Sequence, residues 1–198
     1  MLGKLQEIKA KYHFGLIDKD NNGYIEIGDV MREMAMIAEL TGLEEGSSKY
    51  ETLKANQLGW WDHIVQVGDK NQDERISFEE WIQFEEELFT AIALAAGQTP
   101  NEPLEALKES GWFWFEIADA DANGEISQAE HKNILVAWGG KEEEAGSCFE
   151  KLDLNGDGVI SKDEFVKAMN EFFLSNDPEA PGNYLFGNPF LILTDSVV

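Results

Sequence analysis

Oxygen-bearing side chains recur at one spacing in four segments of this 198-residue chain. Each segment has Asp, then Asp or Asn two and four residues later, and a third carboxylate at the twelfth position. Carboxylates and amide carbonyls at positions 1, 3, 5 and 12, with a backbone carbonyl at position 7, can surround one hard divalent cation with oxygen. The residues at position 8 are Ile25, Ile76, Ile126 and Ile160. A fourfold match of this kind predicts metal loops rather than ordinary acidic turns.

The predicted metal loops, numbered 1 to 4 in chain order, run from Asp18 to Asp29, Asp69 to Glu80, Asp119 to Glu130 and Asp153 to Glu164. Their ligand spacing is that of the EF-hand calcium loop. The predicted ligands, including the position-7 residues that would offer a backbone carbonyl, are Asp18, Asp20, Asn22, Tyr24, Asp29, Asp69, Asn71, Asp73, Arg75, Glu80, Asp119, Asp121, Asn123, Glu125, Glu130, Asp153, Asn155, Asp157, Val159 and Glu164. Three carboxylates repel one another in each loop, and a divalent ion relieves that repulsion. We expect three to four bound Ca²⁺ ions.

The four loops differ in two positions that matter for the ion. Loops 3 and 4 have Gly124 and Gly158 at position 6, where the chain turns sharply, and end in a glutamate that can chelate calcium through both oxygens. Loop 1 ends in the shorter Asp29, which favours contact through one oxygen and therefore predicts Mg²⁺ binding or weaker selectivity for calcium. Loop 2 has Glu74 at position 6, where a left-handed backbone costs roughly 1 kcal/mol.

The composition agrees with cations as partners. With 39 acidic and 15 basic residues the formal charge is -24, which disfavours nucleic acid and anionic membrane surfaces. The start of the chain shows no secretory apolar region, and no apolar stretch has the length of a membrane span, so we expect no stable membrane insertion and a cytoplasmic protein. The single cysteine, Cys148, cannot form an internal disulfide and is expected to be a buried residue on a helix face.

Apolar residues recur at helical spacing on both sides of every loop, so each loop is expected to join two helices. Because one such unit cannot bury its apolar face alone, neighbouring loops should pair through a short two-strand contact at position 8. This predicts Ile25 opposite Ile76 and Ile126 opposite Ile160. The segment from Gly97 to Pro103 separates the pairs and contains two prolines, which argues against a continuous helix.

The expected fold is all-α, with four EF-hands in two paired lobes that pack compactly. We divide the chain into an N-terminal lobe over residues 1–96, a linker over residues 97–103, a C-terminal lobe over residues 104–176 and an apolar tail over residues 177–198 that packs on the lobes.

Four loops over the whole chain, the long first pair and the ending from Ser175 to Gly187 resemble the sarcoplasmic calcium-binding protein family, which includes calexcitin and calerythrin. The run from Asp73 to Arg75 is similar to the non-glycine second loop of calexcitin. The resemblance implies an intracellular buffer for calcium and magnesium or, as in calexcitin, a calcium-dependent signalling switch. Many members of that family have lost one or two sites, whereas this chain retains ligands in all four loops.

The calcium-triggered photoproteins share four hands and the tail element, and they hold a peroxidised coelenterazine among histidine, tryptophan and tyrosine. The positions of this chain that would correspond to those groups are Tyr12, His131, Ile134, Met169 and Phe173. These substitutions argue against light emission. A coelenterazine-binding or other apolar-ligand carrier remains an alternative, because the remaining aromatic residues could line a cavity.

No arrangement of residues predicts an enzyme. His13, His63 and His131 are widely spaced, and we expect His13 and His131 to be structural histidines with satisfied hydrogen bonds. The aromatic run from Trp112 to Phe115 is expected to belong to the core.

Between a buffer and a sensor, the sequence favours the buffer. Open sensors present a methionine-rich groove to target helices, whereas this chain has only five methionines. The apolar segment from Tyr184 to Leu193 could occupy such a cleft internally. We therefore expect a monomer, and the sequence identifies no protein target.

Overall fold

The computed structural model describes residues 2–97 and 100–193, with side chains as far as Leu191. Its helices are α1 Lys4–Ile17, α2 Ile27–Thr41, α3 Ser48–Gly68, α4 Phe78–Leu94, α5 Glu102–Ala118, α6 Gln128–Trp138, α7 Ala145–Leu152 and α8 Lys162–Leu174. Its strands are β1 Tyr24–Ile25, β2 Ile76–Ser77, β3 Glu125–Ile126 and β4 Ile160–Ser161. Short 3-10 turns cover Glu142–Glu144, Pro181–Tyr184 and Pro189–Leu193. The expected all-α fold of four EF-hands is confirmed.

The helices that follow the loops begin at a capping box. In α6 the Ser127 side chain accepts a hydrogen bond from the Glu130 backbone N–H, and the Glu130 side chain accepts one from the Ser127 backbone N–H. The same pair of residue types begins α4 and α8. Because the capping glutamate is also position 12 of the loop, starting the helix places a predicted metal ligand.

The loops pair as the sequence predicts. Strands β1 and β2 are antiparallel with Ile25 opposite Ile76, and β3 and β4 are antiparallel with Ile126 opposite Ile160. All four isoleucines are fully buried. The paired strands therefore join two loops and also contribute to the core.

A continuous apolar cluster crosses the boundary between the two loop pairs. Ile37 of α2 and Leu53 of α3 belong to the same buried cluster as Trp138 of α6 and Phe172 of α8. A second cluster surrounds Trp81 of α4 and lies within the first pair. Because the large cluster draws residues from both pairs, their relative position is maintained by burial of apolar surface.

The segment after α8 returns into the molecule. The ring centroid of Phe186 lies 4.7 Å from the ring centroid of Phe172, and 4.8 Å from those of both Trp138 and His13. The Tyr12 hydroxyl donates a 3.0 Å hydrogen bond to the Phe186 carbonyl oxygen. These contacts place the Phe186 side chain between α1, α6 and α8.

Parts of three predicted segments lie outside the described residues, namely residue 1 of the N-terminal lobe, 98–99 of the linker and 194–198 of the tail. In the described part of the chain, no helix has both the length and the apolar character of a membrane span.

Candidate metal centres

The four loops share one backbone conformation. Position 4 is left-handed in each, with φ of 56°, 63°, 58° and 73° at Asn21, Gln72, Ala122 and Gly156. Position 6 is left-handed as well, with φ of 87°, 60°, 89° and 90° at Gly23, Glu74, Gly124 and Gly158. Loop 2 thus adopts the same turn with Glu74 at position 6. The left-handed backbone is less favourable there than at glycine, because Glu74 has a Cβ atom.

The carboxylate at position 1 accepts the same hydrogen bond in every loop. The backbone N–H of position 6 donates to its Oδ2 at 2.9 Å, in the pairs Gly23 with Asp18, Glu74 with Asp69, Gly124 with Asp119 and Gly158 with Asp153. Asp119 also accepts a bond to Oδ1 from the Asn123 N–H at 3.0 Å. These bonds fix the carboxylate inside its own loop.

The carboxylate at position 12 closes the loop from the other side. Glu130 Oε1 accepts from the Ala120 N–H at 2.9 Å, and its Oε2 accepts from the Ser127 N–H at 2.9 Å and the Ser127 hydroxyl at 2.7 Å. Desolvation raises the pKa of Glu130, but the hydrogen bonds from Ser127 and the loop amides outweigh it, so its pKa lies below the ordinary value. Glu130 is therefore ionised at neutral pH, as a metal ligand must be.

The structure brings three carboxylates together in loops 1 and 3. The ligand oxygens of Asp18, Asp20 and Asp29 all lie within 4.8 Å of one another, as do those of Asp119, Asp121 and Glu130. No third such group occurs within residues 2–97 and 100–193. In loops 2 and 4 the third carboxylate stands at position 5 rather than position 3 and is exposed to solvent.

The position-5 carboxylates of loops 2 and 4 support the turn. Asp73 Oδ1 accepts a 3.1 Å hydrogen bond from the Arg75 N–H, and Asp157 Oδ1 accepts one from the Val159 N–H at the same distance. Loops 1 and 3 have Asp, Asp and Asn at positions 1, 3 and 5, whereas loops 2 and 4 have Asp, Asn and Asp at these positions.

The donor set fits a hard divalent cation. Every predicted side-chain ligand offers oxygen, and neither histidine nor cysteine belongs to the two carboxylate groups. The position-7 residues lie at or immediately before the paired strands, where the chain is extended. Oxygen ligands in this pattern suit Ca²⁺, and shorter carboxylates suit Mg²⁺.

Two basic residues that the sequence did not single out lie in or beside loop 1, and one of them contacts its ligands. Arg32 of α2 donates from Nη2 to Asp20 Oδ2 at 2.8 Å and to Asp29 Oδ1 at 2.9 Å. Lys19, at position 2 of loop 1, extends its Nζ to within 3.8 Å of Glu33. The spacing of three between Asp29 and Arg32 in a helix is a signal that could have identified Arg32.

The expectation of satisfied histidines is wrong. His13 Nδ1 and both ring nitrogens of His131 are buried without a hydrogen-bond partner in the described part of the chain. Burial, with a smaller effect of Lys19, lowers the pKa of His13 to about 3, and burial lowers that of His131 to about 4. Both rings are therefore neutral and pack as aromatic groups, His13 on Phe186 and His131 against Phe149.

The aromatic run in α5 also departs from expectation. Phe115 is buried as predicted, but Trp112 is 47% exposed and lies beneath the ammonium group of Lys162. Residues three apart in a helix share a face, and the Lys162 ammonium group lies 5.6 Å from the ring centroid of Trp112 and 5.9 Å from that of Phe115. Trp112 therefore lies at the solvent-exposed edge of the face that buries Phe115. The expectation for Cys148 is confirmed, because it is fully buried on α7.

A partly open cavity of about 120 Å³ lies between helices of both loop pairs. Its aromatic lining comes from His13, Trp60, Trp114, Trp138, Phe173 and Phe186, and its polar lining includes Glu33 and Gln57. Of the five residues matched above to photoprotein positions, Met169 and Phe173 line this cavity, whereas His13 lines it instead of Tyr12.

Comparison with known proteins agrees with the assignment of the loops as EF-hand calcium loops. A family model described as an EF-hand domain pair matches residues 108–170. Calerythrin of Saccharopolyspora erythraea is 29% identical over 83% of this chain and 89% of its own length. The probable calcium-binding protein CML13 of Oryza sativa subsp. japonica is 30% identical over 84% of this chain and 82% of its own. The luciferin-binding protein of Renilla reniformis is 26% identical over 91% of this chain and 92% of its own length.

Two solved structures have a similar fold. A sarcoplasmic calcium-binding protein from amphioxus superimposes with a TM-score of 0.69 at 18% identity, covering 95% of this chain and 99% of that one. The coelenterazine-binding protein from Renilla muelleri, in its calcium-loaded apo form, gives a TM-score of 0.66 at 25% identity. The superposition covers 92% of this chain and 94% of that one.

Proposed function

We propose that this chain, which belongs to the EF-hand calcium-binding proteins, is a buffer for calcium and magnesium of the sarcoplasmic calcium-binding protein type. The observation that carries the proposal is the position of Phe186. Its ring packs on His13, Phe172 and Trp138, so the tail covers apolar side chains of α1, α6 and α8. A sensor needs an apolar groove that opens on calcium binding, whereas here the chain's own tail occupies the interior.

The proposed ligands are the twenty residues predicted from the sequence. In loops 1 and 3 the grouping of three carboxylates supports this proposal directly. In loops 2 and 4 it is supported by the shared backbone turn and by the position-1 hydrogen bond. Three or four ions are bound, with calcium preferred in loops 3 and 4 and magnesium competing most effectively in loop 1.

Exposure of apolar surface distinguishes a buffer from a sensor. The protein is titrated with calcium in the presence of a fluorescent apolar dye and, separately, of a labelled amphipathic helical peptide. A buffer binds the ions without an increase in dye fluorescence and without retaining the peptide. Strong binding of both on addition of calcium would replace the buffer by the signalling switch.

A second candidate function is a carrier for an apolar aromatic ligand, and the cavity lined by His13, Trp138 and Phe186 favours it. About 120 Å³ is slightly less than the volume of an engineered cavity, ~150 Å³, that admits benzene. A multi-ring molecule such as coelenterazine would therefore require Phe186 or its neighbours to move. Stoichiometric binding of coelenterazine to the calcium-free protein, with release on adding calcium, would establish the carrier. No binding at micromolar concentration is the result expected of a buffer.

A further inference from the structure

We propose that Arg32 is a tethered counter-cation of loop 1 that competes with the metal and lowers the affinity of this loop for calcium. The inference concerns a residue outside the loop and rests on the proposed metal site in loop 1. It assigns to α2 a part in setting how strongly the preceding loop binds its ion.

The guanidinium bridges two of the three carboxylates in the loop. Arg32 Nη2 lies 2.8 Å from Asp20 Oδ2 and 2.9 Å from Asp29 Oδ1. The side chain of Asp29 is completely shielded from solvent, whereas that of Arg32 is half exposed. Arg32 therefore approaches from the solvent side and pairs with a carboxylate that has no contact with water.

The remaining contacts of Asp29 come from backbone groups. Its Oδ1 also accepts from the Lys19 N–H at 3.1 Å, and its Oδ2 accepts from the Glu26 N–H at 2.9 Å. Each carboxylate oxygen of Asp29 thus accepts a hydrogen bond from the loop backbone, and Oδ1 also accepts one from the Arg32 guanidinium. A metal ion that uses Oδ1 has to share this oxygen with Arg32 or displace the guanidinium.

Loop 1 is the exception among the four loops. Of the ion pairs in the described part of the chain, only those of Arg32 involve a predicted ligand carboxylate. The Lys70 ammonium at position 2 of loop 2 pairs instead with Glu87 on α4, which is not a predicted ligand. Loop 3, with the same Asp, Asp, Asn order, holds its carboxylates without a basic partner in that set of ion pairs.

Two physical effects follow from the positive charge of Arg32. It lowers the repulsion among Asp18, Asp20 and Asp29, so the loop loses part of the electrostatic gain that a metal ion would supply. It also occupies one oxygen on each of two carboxylates, which limits them to contact through the other oxygen. A site restricted to single-oxygen contacts is closer to the six-coordinate shell of magnesium than to the larger shell of calcium.

Replacement of Arg32 by Gln tests the proposal, with Lys70→Gln as the matched control. Both changes remove one positive charge beside a loop, but only Arg32 contacts ligand carboxylates. Calcium is titrated while backbone amide NMR signals are followed at Gly23, Gly124 and Gly158, whose N–H groups donate to the position-1 carboxylates of loops 1, 3 and 4. Each loop with a position-6 glycine thus has its own reporter.

We expect Arg32→Gln to tighten calcium binding at the Gly23 reporter roughly tenfold, the size of effect expected from one close charge near the surface. The Gly124 and Gly158 midpoints should change less than twofold. Lys70→Gln should leave the Gly23 midpoint unchanged. Circular dichroism of the calcium-free variants establishes that both are folded, and Arg32→Lys, which retains the charge but loses the planar fork, should bind with intermediate affinity.

Each outcome decides the proposal. Equal Gly23 midpoints in the wild type and Arg32→Gln would overturn the role of Arg32 while leaving the metal site of loop 1 intact. Equal tightening in both glutamine variants would show a general charge effect and would also overturn it. A Gly23 signal that does not respond to calcium in any variant would remove both the metal site of loop 1 and the inference, whereas a response gained only in Arg32→Gln would support the inference.

Discussion

The Lys19 ammonium group donates a 2.8 Å hydrogen bond to the backbone carbonyl oxygen of Trp138, from the first loop pair to the second. Lys19 stands between two predicted ligands of loop 1, and Trp138 ends α6, the helix that begins at loop 3. A cation at a helix C-terminus is stabilised by the helix dipole. The same Nζ lies 3.8 Å from Glu33, whose other carboxylate oxygen accepts a bond from Gln57 at 3.0 Å. One side chain therefore connects loop 1 to the helix that follows loop 3.

Lys19→Met should destabilise the protein, because it removes the donor to Trp138 and leaves Glu33 without its cation. We expect a loss of about 2 kcal/mol in the free energy of unfolding, typical of a hydrogen bond made by a charged group. Urea denaturation of the calcium-free protein measures this loss. The exposed Lys11 on α1 provides the control, since Lys11→Met should change stability by less than about 0.5 kcal/mol. Similar small effects for both variants would contradict a structural role for Lys19.

Glu130→Gln and Glu164→Gln should each remove one calcium ion from the binding stoichiometry. The amide keeps the size of the side chain, but it is neutral and offers one acceptor oxygen where the carboxylate offers two. Isothermal titration calorimetry with calcium measures the number of ions. Glu150, an exposed residue of α7 near loop 4, offers a control in Glu150→Gln, which should bind as many ions as the wild type. Unchanged stoichiometry in both loop variants would refute the ligand assignment.

Asp29→Glu should raise the preference of loop 1 for calcium over magnesium. The longer side chain reaches the ion with both oxygens and completes the larger calcium shell. Competition titration with the two ions, followed at Gly23, gives the ratio of their affinities. We expect the ratio to rise several-fold at Gly23 and to remain constant at Gly124. A constant ratio at both reporters would mean that the length of the position-12 side chain does not control selectivity.

Glu85 should make the stability of the protein depend on pH. Burial raises its pKa to about 7 from an ordinary 4.5, against the opposing effect of Lys9. Because the folded state binds this proton more tightly, protonation of Glu85 stabilises the fold fully below about pH 4.5. This stabilisation is lost as the pH rises through about 7. Glu85→Gln removes this dependence and should raise the free energy of unfolding at pH 8 by ~2 kcal/mol. Unfolding of both calcium-free proteins at pH 5 and pH 8 tests the difference, and parallel pH profiles would show that Glu85 does not titrate in this range.

Phe186→Ala should open the interior that the tail occupies. Truncation of a buried Phe costs about 3–5 kcal/mol, and the ring lost here packs between α1, α6 and α8. The variant should also increase the fluorescence of an apolar dye. Tyr184→Ala is a matched control on the same segment, because Tyr184 is only partly buried. If Phe186→Ala binds no more dye than the control, the tail does not cover the apolar interior.

The sequence by itself determined the loops, their proposed ligands and the pairing of Ile25 with Ile76 and of Ile126 with Ile160. The loops and ligands could be predicted because all the ligands of one loop lie within twelve residues, where a short run of backbone angles places every donor. The pairing could be predicted because an isoleucine recurs at position 8 of a repeated unit that cannot bury its apolar face alone. The left-handed conformation of Glu74 follows from the same local geometry.

Only the tertiary structure decided which residues surround those loops. The bond from Lys19 to Trp138 joins residues 119 positions apart, and the contacts of Phe186 with His13 and Phe172 depend on how the tail returns to α1. Such contacts depend on the packing of whole helices, which burial of apolar surface determines without a local sequence pattern. The same reason explains why His13, expected to be hydrogen-bonded, is instead a neutral ring in an aromatic interior.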